Sequence, residues 1–160
     1  MHFTSALVIA SAAFTQARVF TQKTYDQISI SGGVAGNGEQ EALAVFSELD
    51  LNNLANADEA DIEFLDSVNS ICNDAEKEAF NTAIDAADGE EAAALQRGKI
   101  KNKILKLEAT MLRLMIEQAQ GADVADEMAT EQKKLDNNIK QDEDEAGNAS
   151  TALKFDAQTD

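Results

Sequence analysis

The sequence of 160 residues contains no proline, no tryptophan, one cysteine and one histidine, and it has 13 lysines and arginines against 30 aspartates and glutamates. A single cysteine cannot form an intramolecular disulfide, so packing must stabilise the fold. The formal net charge of -17 disfavours nucleic acid and anionic membrane surfaces as partners, because both require clustered cations. With 44% hydrophobic residues, the chain is too apolar for a disordered acidic tail, and its length suits one compact domain.

The first 17 residues lack Asp, Glu, Lys and Arg, and they contain an apolar run from Ala6 to Ala13 followed by small residues. This pattern is typical of a secretory signal peptide, and the run is shorter than the ~20 apolar residues of a membrane span. Cleavage after Ala17 and cleavage after Ala13 both fit the pattern. We therefore predict a secreted chain, extracellular or associated with a cell wall, with no transmembrane segment.

Removal of residues 1–17 also removes His2, the only histidine. The remaining chain lacks the base of Ser-His-Asp and Cys-His catalytic arrangements and the commonest zinc ligand. The glycines at positions 32, 33, 36 and 38 match neither a Walker loop nor a dinucleotide fingerprint, and the acidic run 142–145 is no EF-hand loop. We therefore predict a non-enzymatic protein with no catalytic residue, metal site or cofactor. Carboxylate pairs leave glycoside hydrolysis open by residue type, although aromatic faces that usually hold sugars are scarce.

Apolar residues recur at spacings of three and four along most of the chain, which predicts an all-α fold, a helical bundle of four or five helices. The clearest helix covers residues 90–120. One apolar seam within it consists of Ile100, Ile104, Leu107, Met111 and Leu114, with Gln118 at the next position. A second line, Leu105, Leu112 and Ile116, lies on another side and predicts a central helix with neighbours on both sides. Gly121 allows a reversal into a helix over 122–141, giving a long central helical hairpin.

The remaining segments complete the expected organisation. A signal peptide covers 1–17, an extended glycine-rich N-terminal segment 18–38, the helical bundle 39–147 and an extended C-terminal tail 148–160. The first helix, over 39–49, should bury Leu43 and Phe46, and Asp58 should cap the next helix. Alternating patterns within 25–31 and 151–157 indicate that these segments either cover one end of the bundle or pair as a short ribbon.

Five cations follow one another with no acid between them in an otherwise acidic chain: Arg97, Lys99, Lys101, Lys103 and Lys106. One interpretation is a docking patch for an anionic partner. The other, which we favour, is charge pairing with acids of facing helices, because such pairs commonly set helix register. The facing acids are Asp123, Asp126, Glu127, Glu131 and Asp136.

Two further residues are candidates for covalent chemistry. Asn148 begins the only Asn-x-Ser/Thr sequon with a permitted middle residue, so it is a candidate for N-glycosylation. Cys72 lies in an apolar series, which predicts a buried free thiol, with an intermolecular disulfide as the alternative.

Several stretches together resemble a group of fungal small secreted proteins, mostly without an assigned activity. These stretches are 25–33 with 35–36, 95–103, 132–135 with 137–139, and 149–152 with 155–156. The resemblance implies an extracellular protein of filamentous fungi, effector-like in size, and it supplies no catalytic residue. Many such proteins are rich in cysteine, whereas this chain is cysteine-poor.

These observations predict a secreted, non-enzymatic helical protein that acts by binding an extracellular protein or a cell-wall component. The alternative is a carrier of a hydrophobic ligand, such as a lipid, or a protein that binds hydrophobic surfaces. In that case Met111, Met115 and Met128 would give an adaptable apolar lining.

Overall fold

The computed structural model describes residues 17–160, so the predicted signal peptide, apart from Ala17, lies outside the described residues. The helices are α1 Tyr25–Ile28, α2 Gly38–Val45, α3 Glu59–Asp74, α4 Asn81–Ala86, α5 Gly89–Ala119 and α6 Ala125–Asp144. A 3-10 turn covers Leu54–Asn56, and a π-helical segment, Ala75–Phe80, joins α3 to α4. Residues 17–160 contain isolated bridges but no strand, and the predicted all-α helical bundle is confirmed.

Helix α5 is the central element of the bundle. It packs against α3 on one side and α6 on another, with a smaller contact to α2. Both apolar lines predicted from the sequence are buried, including Ile104 and Leu114 of the seam and Leu105 and Ile116 of the second line. Gly121, with a φ of 100°, turns the chain between α5 and α6, as glycine permits.

Helix α2 is shorter than predicted, and its buried face differs. The prediction for Leu43 is wrong: its side chain is 43% exposed, while Ala42 and Phe46 are buried. The reason is the close approach of α2 to the hairpin, since a Cβ at Gly38 would lie 2.8 Å from Cδ1 of Ile104. Gly38, Ala42 and Phe46 form the inner face, and Leu43 lies ~100° around the helix from Ala42.

The two terminal segments run antiparallel to each other and are joined at isolated bridges. Thr24 pairs with Gln158, and Val34 pairs with Ala149. Between these bridges the short helix α1 interrupts the pairing, so the segments lie together without forming a continuous ribbon. The N-terminal segment is therefore not extended throughout its length.

The C-terminal segment crosses α5 at Gly98. The backbone N–H of Thr151 donates to the carbonyl oxygen of Ala94 at 3.0 Å. A Cβ added at Gly98 would lie only 2.0 Å from the carbonyl oxygen of Thr151, so this crossing requires glycine.

We predict that Gly98→Ala destabilises the protein by about 2 kcal/mol, because the added methyl group displaces the crossing segment. In an exposed helix interior the same change would stabilise by up to about 1 kcal/mol, so the sign of the effect is diagnostic. Urea unfolding measures the difference. The exposed neighbour Gln96 offers a control, since Gln96→Ala should change stability by less than ~0.5 kcal/mol. A Gly98→Ala protein more stable than wild type would contradict the crossing.

Candidate functional site

The five cations of α5 do not form one surface patch. Arg97 is 6% exposed; it donates to the carbonyl oxygen of Ala149 at 2.6 Å and pairs with Glu145 at 3.1 Å and with Glu90. Lys101 is fully buried. The docking-patch interpretation is therefore wrong for these two residues, whose long side chains reach from the helix to bind neighbouring segments.

The Nζ atom of Lys101 binds three oxygens. It donates to the carbonyl oxygens of Gly32 at 2.8 Å and Val34 at 3.1 Å, and it pairs with Glu41 at 2.8 Å. These contacts fix the glycine-rich segment against α5. A buried ammonium group requires such compensation, because an unpaired buried charge is strongly destabilising.

The other three cations face α4 and the π-helical segment. Lys99 donates to Oδ1 of Asn81 at 2.7 Å, and Lys103 and Lys106 pair with Glu76 at 3.6 and 3.2 Å. Charge pairing therefore occurs, but with other partners than the acids that the sequence suggested. The reason is that Glu76 of the π-helical segment lies within reach of Lys103 and Lys106, whereas Glu127 and Glu131 of α6 pair with Arg113 and Lys134 instead.

A polar groove runs along α5 between α3 and α6, and we call it the α3–α6 groove. It consists of two adjoining cavities of about 370 and 270 Å³ that share Lys106, Leu107 and Lys134. Its other lining residues are Asp66, Asn69 and Asn73 of α3, Lys103, Thr110 and Arg113 of α5, and Glu127, Glu131, Asn137 and Asn138 of α6. From Lys103 to Arg113 the floor is about 15 Å long, at the helical rise per residue.

Arg113 joins the two walls of the groove. Its guanidinium binds Asp66 of α3 at 3.0 Å, Glu117 of α5 at 2.5 Å and Glu127 of α6 at 3.1 Å. Burial disfavours its charge, but the hydrogen bond to Glu117 and the three carboxylates outweigh burial and raise the pKa of Arg113. The arginine is therefore charged and held in place.

Some of the other polar side chains of the α3–α6 groove form a hydrogen bond or an ion pair within the protein, and others do not. Asn69 donates to the hydroxyl of Thr110 at 2.7 Å, and Lys134 pairs with Glu131 at 2.7 Å. Within residues 17–160, neither the Asn73 nor the Asn137 side chain makes a hydrogen bond. The groove thus combines paired charges with two amides that can still donate and accept, an arrangement suited to a polar ligand.

Sequence reasoning missed most of the groove, although a signal for it is present. Lys103, Lys106, Thr110 and Arg113 are spaced by three, four and three residues, so they form a polar stripe along one side of α5. Of this stripe, only the two lysines belong to the cation run that the sequence singles out. Of the predicted patch, Lys103 and Lys106 are the residues that the structure brings into the groove.

Cys72 and Asn148 lie outside the groove. Cys72 is fully buried, and burial raises the pKa of its thiol to about 12, so it is not placed to form a disulfide with a second chain. Asn102 donates to its carbonyl oxygen at 2.8 Å. Asn148 is exposed and donates to Glu145 at 2.9 Å, whereas the hydroxyl of Ser150 is buried and donates to Ser31. Glycosylation of Asn148 stays a prediction.

Glu108 is a buried acid without a cationic partner. Its side chain is 6% exposed, and among residues 17–160 it has neither an ion pair nor a side-chain hydrogen bond. Burial, with a further contribution from the charge of Glu39, raises the pKa of Glu108 to about 7. The folded state therefore binds this proton more tightly than the unfolded chain does.

We predict that Glu108→Gln stabilises the protein at pH 8 and has little effect at pH 4. Because the folded pKa of about 7 exceeds the ordinary value of 4.5, the wild-type stability is complete below pH 4.5 and is lost as pH rises through 7. The expected gain at pH 8 is roughly 2–3 kcal/mol, measured by urea unfolding at both pH values. Glu143→Gln, at an exposed position, is the control. Equal effects of Glu108→Gln at pH 4 and pH 8 would contradict the assignment.

None of the helices within residues 17–160 is both long and apolar enough to cross a membrane. A family profile described as a domain of unknown function, DUF8454, matches residues 20–154, a range that includes all six helices. No curated protein and no solved structure matches the chain.

Proposed function

The chain belongs to the DUF8454 family, and we propose that it is a secreted, non-enzymatic protein that acts by binding a partner in the α3–α6 groove. The observation that carries this proposal is the groove itself, where paired charges and unpartnered amides line the central helix between two walls. Secretion rests on the composition of residues 1–17. The resemblance to fungal small secreted proteins supports an effector-like role.

The charge balance of the groove narrows the class of partner. Four cations of the groove and its floor, Lys103, Lys106, Arg113 and Lys134, face five acids that pair with them, Asp66, Glu76, Glu117, Glu127 and Glu131. An anionic partner gains little there, because it would have to displace these carboxylates and approach a chain of net charge -17. We infer that the partner presents uncharged hydrogen-bonding groups, as a polypeptide segment of an extracellular protein or a wall component does.

The carrier alternative has less support from the packing. Met111 is buried in the core, and Met115 and Met128 pack against the core, so these methionines fill space that a ligand would need. The cavities of the α3–α6 groove are open and lined mainly by polar groups. Binding to a hydrophobic surface would therefore require a rearrangement.

We predict that Asn73→Arg partly fills the groove and weakens partner binding. Asn73 makes no side-chain hydrogen bond, so a longer side chain enters the groove without breaking a native contact. Immobilised protein is incubated with wall preparations and extracellular extracts, and each captured species is quantified by mass spectrometry. Species that bind wild type should fall by about tenfold on the variant, equivalent to about 1.4 kcal/mol.

The matched control is Gln40→Arg, the same amide-to-arginine change at an exposed position of α2 outside the groove. It should capture the same species as wild type. Equal capture by wild type, Gln40→Arg and Asn73→Arg would show that the groove is not the binding site.

We predict that a secreting host releases the protein into the medium with residues 1–17, or 1–13, removed. Its N-terminus should then be Arg18 or Phe14, which intact-mass spectrometry distinguishes. A mass decrease on N-glycosidase treatment, absent from Asn148→Gln, would locate a glycan at Asn148. Retention of the full chain inside the cell would contradict the secreted part of the proposal.

A further inference from the structure

Helix α6 is weakly anchored for its length. Of its 20 residues, only Leu135, Asn138 and Asp142 are buried, and two of these are polar. In its first half, residues 125–134, no side chain is buried, and only Met128 and Glu131 are partly covered. By contrast, the 16 residues of α3 bury six side chains, including Phe64 and Leu65. Few apolar contacts mean a low free energy of local opening.

This weakly held half covers an apolar face of α5. Leu107 lines the α3–α6 groove together with Glu127, Glu131 and Lys134 of this half, which places the Leu107 side of α5 beneath it. Met111 and Leu114 continue the same seam and are buried. Lifting the first half of α6 would therefore expose an apolar strip towards the end of the hairpin.

The polar contacts of α6 favour opening from its N-terminal end. At the other end, Asp142 accepts a hydrogen bond from the backbone N–H of Gly38 at 2.8 Å, and Glu145, just beyond the helix, pairs with the buried Arg97. At the N-terminal end, an ion pair between Glu127 of α6 and Arg113 of α5 links the two helices, and the Glu127 side chain is 54% exposed. Such a half-exposed pair contributes little to holding two helices together.

We propose that the first half of α6 lifts away from α5 at a neutral apolar–water interface, where Leu107, Met111 and Leu114 then adsorb. The net charge of -17 disfavours an anionic surface, so the interface that fits this protein is uncharged or zwitterionic. This surface activity goes beyond partner binding in the α3–α6 groove. The two are mutually exclusive in one molecule, because the lifted helix carries one wall of the groove.

The test is the rate of insertion into a phosphatidylcholine monolayer, followed as the rise in surface pressure. Leu135→Ala removes the principal apolar anchor of α6 and should speed insertion by roughly fivefold. Asn138→Leu replaces a buried amide with an apolar anchor of similar size and should slow insertion by roughly twofold. The matched control is Leu65→Ala, the same truncation at a fully buried position of α3.

The control separates opening of α6 from global unfolding. Insertion of Leu65→Ala close to the wild-type rate, with the two α6 variants moving in opposite directions, supports the proposal. If Leu65→Ala inserts as fast as Leu135→Ala, the activity follows global stability and the proposal fails. It fails equally if Asn138→Leu inserts no more slowly than wild type, or if wild type does not raise the surface pressure.

Discussion

The buried ammonium group of Lys101 is the contact on which the arrangement of the chain ends depends. It gathers two carbonyl oxygens of the glycine-rich segment and the carboxylate of Glu41 against the central helix. One turn earlier, Gly98 leaves room for the C-terminal segment to cross the same helix. The two segments then bind each other, with the N–H of Ser150 donating to the carbonyl oxygen of Gly33 at 2.9 Å. Without a disulfide, the terminal segments are held to the bundle by two buried cations, Lys101 and Arg97, by the glycine at position 98 and by a few backbone hydrogen bonds.

This arrangement divides the cations of α5 between the terminal segments and the α3–α6 groove. Arg97 and Lys101 are buried and hold the terminal segments, whereas Lys103 and Lys106 border the α3–α6 groove together with Arg113. Because acids pair with the groove cations, the groove has no marked excess of positive charge. The acidic excess lies elsewhere on the protein and keeps it away from anionic surfaces. The binding that we propose for the groove would therefore depend on hydrogen bonding more than on charge.

Features that depend on local periodicity could be predicted from the sequence, whereas features that depend on tertiary contacts could not. The apolar seam from Ile100 to Leu114 and the line through Leu105 and Leu112 are local periodicities, and they predicted the central helix and the hairpin correctly. The exposure of Leu43 depends on how closely Gly38 approaches Ile104, a tertiary distance that no local pattern contains. The docking-patch interpretation is wrong for Arg97 and Lys101 for the same reason, since their long side chains reach segments far away in sequence. The groove depends on the placement of three helices, and only its stripe on α5 was visible in advance.

The terminal segments are bound to α5 and to each other, and hydrogen exchange of backbone amides tests this most directly. The amides of Ala35, Ser150 and Thr159 donate to Asn148, Gly33 and Lys23 across the paired segments. In the wild-type protein we expect them to exchange as slowly as the buried centre of α5, and much faster in Lys101→Gln. Exchange of these amides at free-peptide rates in wild type, while α5 stays protected, would contradict the account.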